Sequence, residues 1–122
     1  MLFGKKNKNE IRVMHYEGIP EFAPDYPCTL EVTDTDLIIH RLKPDTTVRL
    51  PLSRIQSFST MDEKVFMSEY HGTSETTSKS GTKYYLVVLY DNGMLAFWGT
   101  AAEYKRFLDL QYSQSGPQTI EL

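Results

Sequence analysis

Two uninterrupted apolar runs, residues 84–90 and 94–98, stand either side of Asp91-Asn92-Gly93, and no other feature restricts the fold of this chain as strongly. Asn-Gly between such runs predicts a β-hairpin, because a type I′ turn needs positive φ at both central residues. With Asn92 and Gly93 as the two loop residues, Leu86, Val88 and Tyr90 share one face with Leu95 and Phe97. Tyr85, Val87 and Leu89 share the other with Ala96 and Trp98. Both faces are apolar, whereas an antiparallel sheet packed on one side usually shows polar residues on the other. Either a helix or long loop of the same chain covers the second face, or a second chain does.

A helix follows at once. In Thr100-Ala101-Ala102-Glu103 the Thr hydroxyl can accept from the Glu103 N–H while the Glu103 carboxylate reaches back, a capping box. At about 100° per residue, Tyr104, Phe107, Leu108 and Gln111 fall on one arc and Lys105, Arg106 and Asp109 point away. Such a helix must cover something apolar.

Upstream, residues 11–16 and 28–33 alternate apolar and polar positions as half-buried strands do. Between them Gly18, Pro20, Pro24 and Pro27 impose a loop. Further strands are expected at 37–42, at 47–52 with Pro51 as its end or edge, at 55–60 and at 64–70. Residues 72–82 contain no apolar side chain and predict a mobile loop. The sum is a mainly β chain, a barrel or roll of about seven antiparallel strands closed by one C-terminal helix, spanning 11–113 between tails at 1–10 and 114–122.

Composition narrows the function. No run approaches the roughly 20 apolar residues that span a bilayer, the start Met-Leu-Phe-Gly-Lys-Lys lacks the apolar segment of a secretory signal, and Leu2 stands where myristoylation demands glycine. Cys28 is the single cysteine, which excludes an internal disulfide and fits a reducing, cytoplasmic setting. The net charge of −3 argues against nucleic acid as partner. Positive charge gathers at the start, in Lys5, Lys6, Lys8 and Arg12.

The residue types that carry chemistry do not assemble. His15, His40 and His71 lack companions at zinc spacing. Asp34-Thr35-Asp36 has Ile38 where a calcium loop needs oxygen, so it reads as a turn. There is no Gly-x-Ser-x-Gly, and Cys28 alternates with Leu30 and Val32 as a buried thiol does. Residues 72–82 lack the Gly-Lys-Ser/Thr ending of a phosphate loop. The carboxylates Glu17, Glu21, Asp25, Asp62 and Glu63 lie in polar segments. Residues 83–87 are aromatic like an RNA-stacking strand, but such platforms need helices between strands. A non-catalytic protein with no metal and no cofactor is expected, and the residues identify no small-molecule substrate.

The order of elements resembles the pleckstrin-homology-like superfold, in particular the bacterial PH-like and GRAM-like domains. The likeness rests on the strand pair 37–52, the phrase Leu50-Pro51-Leu52-Ser53-Arg54-Ile55-Gln56-Ser57-Phe58 and the closing hairpin and helix. It implies two nearly orthogonal antiparallel sheets with the helix over one open end. Membrane-binding members carry Lys and Arg between the first two strands; here that loop holds Glu17, Glu21 and Asp25 and no basic residue. Eukaryotic members place a tryptophan in the closing helix, where this chain has Tyr104 and Phe107, with Trp98 on the strand before.

The expected function is protein contact, including self-association, through a strip of Tyr85, Val87, Leu89 and Trp98, with Phe22 and Tyr26 as a second patch, or by strand addition at a sheet edge. The alternative is attachment to anionic lipid through Lys5, Lys6 and Lys8, worth about 3 kcal/mol at about 1 kcal/mol per lysine. A barrel enclosing an apolar ligand ranks last, because small barrels fill themselves with side chains.

Overall fold

The computed structural model describes residues 10–76 and 83–113. Lys5, Lys6 and Lys8, residues 77–82 of the polar stretch, and the tail from 114 lie outside the described residues. Seven strands form: β1 (Glu10–Glu17), β2 (Tyr26–Val32), β3 (Asp36–Arg41), β4 (Thr46–Pro51), β5 (Ile55–Asp62), β6 (Tyr84–Tyr90) and β7 (Gly93–Gly99). A 3₁₀ turn at Leu52–Arg54 joins β4 to β5, helix α1 (Glu63–His71) follows β5, and helix α2 (Ala101–Ser113) follows β7. All strand pairs are antiparallel, in the order β4-β3-β2-β1-β7-β6-β5. Two meanders, β1 to β4 and β5 to β7, are therefore joined through β1 and β7, where Met14 faces Trp98 and His15 faces Phe97 before the register shifts toward Glu17. β4 and β5 are the two ends, and the sheet is open.

Period-two alternation puts Ile11 and Val13 of β1, Cys28 and Leu30 of β2, Leu37 and Ile39 of β3, Leu50, Phe58, Leu86, Val88, Leu95 and Phe97 into one buried cluster. Every strand contributes. Six spacings of about 4.8 Å would spread a flat sheet of this size over roughly 29 Å, so a single cluster requires strong curling about it. Phe107 of α2 completes the interior, fully buried. The helix is pinned further by Gln111 Oε1, which accepts from the Thr60 N–H of β5 at 2.9 Å. Tyr104 stacks on Tyr84 with ring centroids 4.3 Å apart. Arg106, expected to point away, instead donates to the Glu10 carbonyl at 2.7 Å.

The cap forms with one change. Glu103 Oε1 accepts from the Thr100 N–H at 2.7 Å, as the box requires. The Thr100 hydroxyl, however, donates to that same carboxylate at 2.8 Å, and the Glu103 N–H goes to the Thr100 carbonyl.

Two expectations are corrected. Residues 64–70 belong to helix α1, not to a strand: Asp62 Oδ1 accepts from the Val65 N–H at 2.9 Å, and Gly72 ends the helix in the left-handed region at φ 62°. In the hairpin, Tyr90 pairs with Gly93, so Asp91 and Asn92 are the loop residues. Neither has positive φ, so the turn is not type I′. The register moves by two residues, which leaves every side chain on the face expected of it. Arg54 holds this tip, donating to both carboxylate oxygens of Asp91 at 2.8–3.1 Å and accepting the Asp91 N–H at its carbonyl.

Candidate binding groove

The second face of the hairpin is covered by its own chain. Helix α1 lays Phe66 and Met67 against Tyr85, Val87 and Ala96, making a smaller core of its own. The Phe66 ring stacks on Tyr85 at 4.1 Å and 4°, and Tyr16 meets both edge-on at 5.4 and 5.7 Å. Tyr85 and Val87 have no exposed surface, and Leu89 and Trp98 are half-buried. The expected contact strip is therefore mostly interior, because the segment read as a strand is the helix that covers it. The Tyr85 hydroxyl is buried with no hydrogen-bond partner among the described residues, and burial raises its pKa. Phe22 is also interior, at 3% exposure, between the edge of His15 at 5.4 Å and the Arg41 guanidinium at 4.5 Å. Tyr26 is half-buried, its hydroxyl directed at the carbonyls of Leu42 (3.1 Å) and Lys43 (2.9 Å).

Of those residues, Trp98 and Tyr26 line a groove of about 700 Å³ on the outer face of β1, β2 and β3. Its floor follows from register: Met14 lies directly opposite both Pro27 and Trp98, giving an apolar row across three strands. The next row is Arg12, Thr29 and His40. Leu42 and Lys43, in the β3–β4 turn, form one wall; Gly99, Thr100 and Glu103, at the start of α2, form the other. Leu42 is 61% exposed, an unusual placing for a large apolar side chain.

The tryptophan of the floor is braced. Trp98 Nε1 donates to Asp25 Oδ1 at 2.7 Å, and the Lys83 ammonium sits 4.2 Å from the indole. Among the described residues, the non-glycine positions with positive φ are Asp25 (59°) and Lys43 (63°). One holds the groove's tryptophan and the other lines the groove. Each such conformation costs about 1–2 kcal/mol, and strain of this kind concentrates at functional sites.

The rim is cationic. Arg12 and Lys43 are exposed and have no ion-pair partner among the described residues, whereas the Glu103 carboxylate is engaged by Thr100. His40 Nε2 pairs with Asp45 at 2.5 Å. Cys28 reaches the groove from the inner layer, and burial pushes its pKa up to about 12, so it is a neutral thiol. Among the described residues no group of three or more metal-ligating side chains occurs, and no helix is long and apolar enough to cross a membrane.

No protein-family model, curated protein or solved structure matches the chain.

Sequence reading missed this groove because its floor is assembled from single residues on three strands. Only the cross-strand register unites Met14, Pro27 and Trp98. The available signal was an apolar residue at an outward position on each of β1, β2 and β7.

Proposed function

We propose that this chain is a non-catalytic interaction module of PH-like build that seats an apolar, acidic segment of a partner protein in the Trp98–Met14–Pro27 groove. The observation that carries the reading is the groove itself: an apolar floor, walls held by hydrogen bonds and the left-handed Lys43, and Arg12 and Lys43 at its edge with no ion-pair partner among the described residues. Its volume falls within the roughly 300–1,000 Å³ of ordinary ligand sites. An apolar floor with a cationic rim is complementary to a segment in which Leu, Ile or Phe stands beside Asp or Glu. A concave trough between two walls suits an extended segment better than a bilayer surface. Two meanders followed by a capped terminal helix support the PH-like build, and the single buried thiol fits a reducing cytoplasm. Burial of Tyr85 and Val87 weighs against self-association through the hairpin.

Trp98 is the sole tryptophan, so its emission reports on the groove directly. Peptides selected from a random display library should combine apolar and acidic residues, shift Trp98 emission, and lose tenfold or more in affinity, about 1.4 kcal/mol, against Met14→Glu and against Arg12→Glu. The reading fails if selection enriches nothing, if Met14→Glu binds the selected peptides unchanged, or if phosphatidylserine vesicles alone move the emission.

A further inference from the structure

The loop between β1 and β2, residues 18–25, reaches the groove through Asp25, the acceptor for the Trp98 indole, and a buried imidazole holds it down. His15 is 1% exposed on the inner face of β1. Its Nε2 accepts the Ile19 N–H at 3.2 Å, and its Nδ1 lies 3.1 Å from the Ala23 carbonyl. An acceptor at Nε2 and a donor at Nδ1 describe one neutral tautomer, and both bonds go to the backbone of this loop. The loop in turn sends Ile19 and Phe22 into the core, offers the Glu21 carbonyl to Arg41 at 2.6 Å, and places Asp25 on the Trp98 indole.

We propose that His15 is a proton-sensitive latch for the groove: protonation of the imidazole releases the β1–β2 loop, frees Trp98 from Asp25, and lowers the affinity for the occupant. A proton on Nε2 would point at the Ile19 N–H, donor against donor, and would place a charge where no solvent reaches it. The charged groups acting on the ring are Glu17 on its own strand, which favours the proton, and Arg41 from β3, which opposes it. β2 presents the neutral Cys28 thiol against the His15 backbone, while β7 presents Phe97 and the loop presents Phe22, both edge-on to the imidazole. Burial is the largest influence and holds the imidazole below its usual pKa. The effect on affinity rests on the groove reading above, whereas the latch is measurable with no occupant present.

The test follows Trp98 emission, its quenching by acrylamide, and backbone circular dichroism from pH 8 to pH 5 on the free protein, with ¹⁵N chemical shifts of the His15 ring on the same samples. The latch predicts that quenching rises with a midpoint below pH 6.5 that coincides with the His15 ring titration, while the sheet signal persists. His40→Gln and His71→Gln should retain the transition. His15→Gln, whose amide can accept from Ile19 and donate to Ala23, should abolish it. No change in quenching overturns the proposal. So does a transition lost in His40→Gln or His71→Gln, or one that coincides with loss of the sheet. If His15→Gln does not fold, the coincidence of ring titration and quenching in the wild type decides. A latch that titrates as described alongside peptide affinity that ignores pH would refute the link to binding and leave the groove reading standing.

Discussion

Replacing Phe66 by Ala tests whether helix α1 is an essential cover or an appendage. Phe66 is fully buried and is the centre of the smaller core, stacked on Tyr85 at 4.1 Å and on Tyr70 at 5.4 Å. Truncating a buried Phe costs about 3–5 kcal/mol, of which the aromatic pairs supply about 0.5–1.5 kcal/mol each. Against a total of about 5–15 kcal/mol for a domain, α1 loses most of what holds it, since Met67 is its one other buried apolar residue. At roughly 4 °C per kcal/mol for a chain of this size, the melting temperature should fall by about 12–20 °C. Detachment would bare Tyr85, Val87 and Ala96, so the variant should also self-associate as its concentration rises. Urea denaturation followed by Trp98 emission, with light scattering on the same samples, measures both. A stability loss under about 1 kcal/mol, with a monomer at all concentrations, would refute the assignment of α1 as the cover of this face.

Three further outcomes follow from the geometry. Gly18, at φ 113°, has the Met94 carbonyl and, at 2.8 Å, the Leu95 Cα where a Cβ would stand, so Gly18→Ala should melt far lower than Gly72→Ala. Gly72, at φ 62° with nothing nearby, should lose only about 1 kcal/mol from the left-handed backbone, as calorimetry would show. Asp25→Gly and Asp25→Ala both remove the acceptor for Trp98 and should alter its emission. In urea, the Gly variant should be the more stable by about 1 kcal/mol, because it alone relieves the φ of 59°. For His15, whose folded pKa lies below the unfolded 6.5, stability should be level above pH 6.5 and fall as the pH drops below it. There the unfolded chain takes up a proton that the folded one refuses, at no more than about 1.4 kcal/mol per pH unit. A flat urea midpoint between pH 7 and pH 5 would contradict this.

Much of the fold was legible because its determinants are local. The hairpin faces, the Thr100–Glu103 cap, Phe107 as the buried helix residue, and Pro51 as the end of β4 each depend on spacing within a few residues. Helix α1 was misread as a strand at 64–70, although its signals, Asp62 as cap and Gly72 as stop, stand in the sequence. Its short apolar set of Phe66, Met67 and Tyr70 fits a strand period poorly and a helix turn well. Phe22 misled because a proline-rich loop is expected at the surface, yet His15 draws this one inward. The imidazole's role required knowing that residues 19 and 23 return to it. The groove depended on register between strands distant in the chain, which no local pattern encodes.

The pairing of β1 with β7 has a consequence for how quickly the chain finds its structure. Each meander assembles from neighbours in sequence, whereas the Met14–Trp98 region and the Arg106–Glu10 bond bring the two extremities of the domain together. Closing so long a loop is entropically costly before its contacts reward it. That zipper is therefore expected to form late in folding, and two halves produced by a break between β4 and β5 are expected to recombine along the same seam.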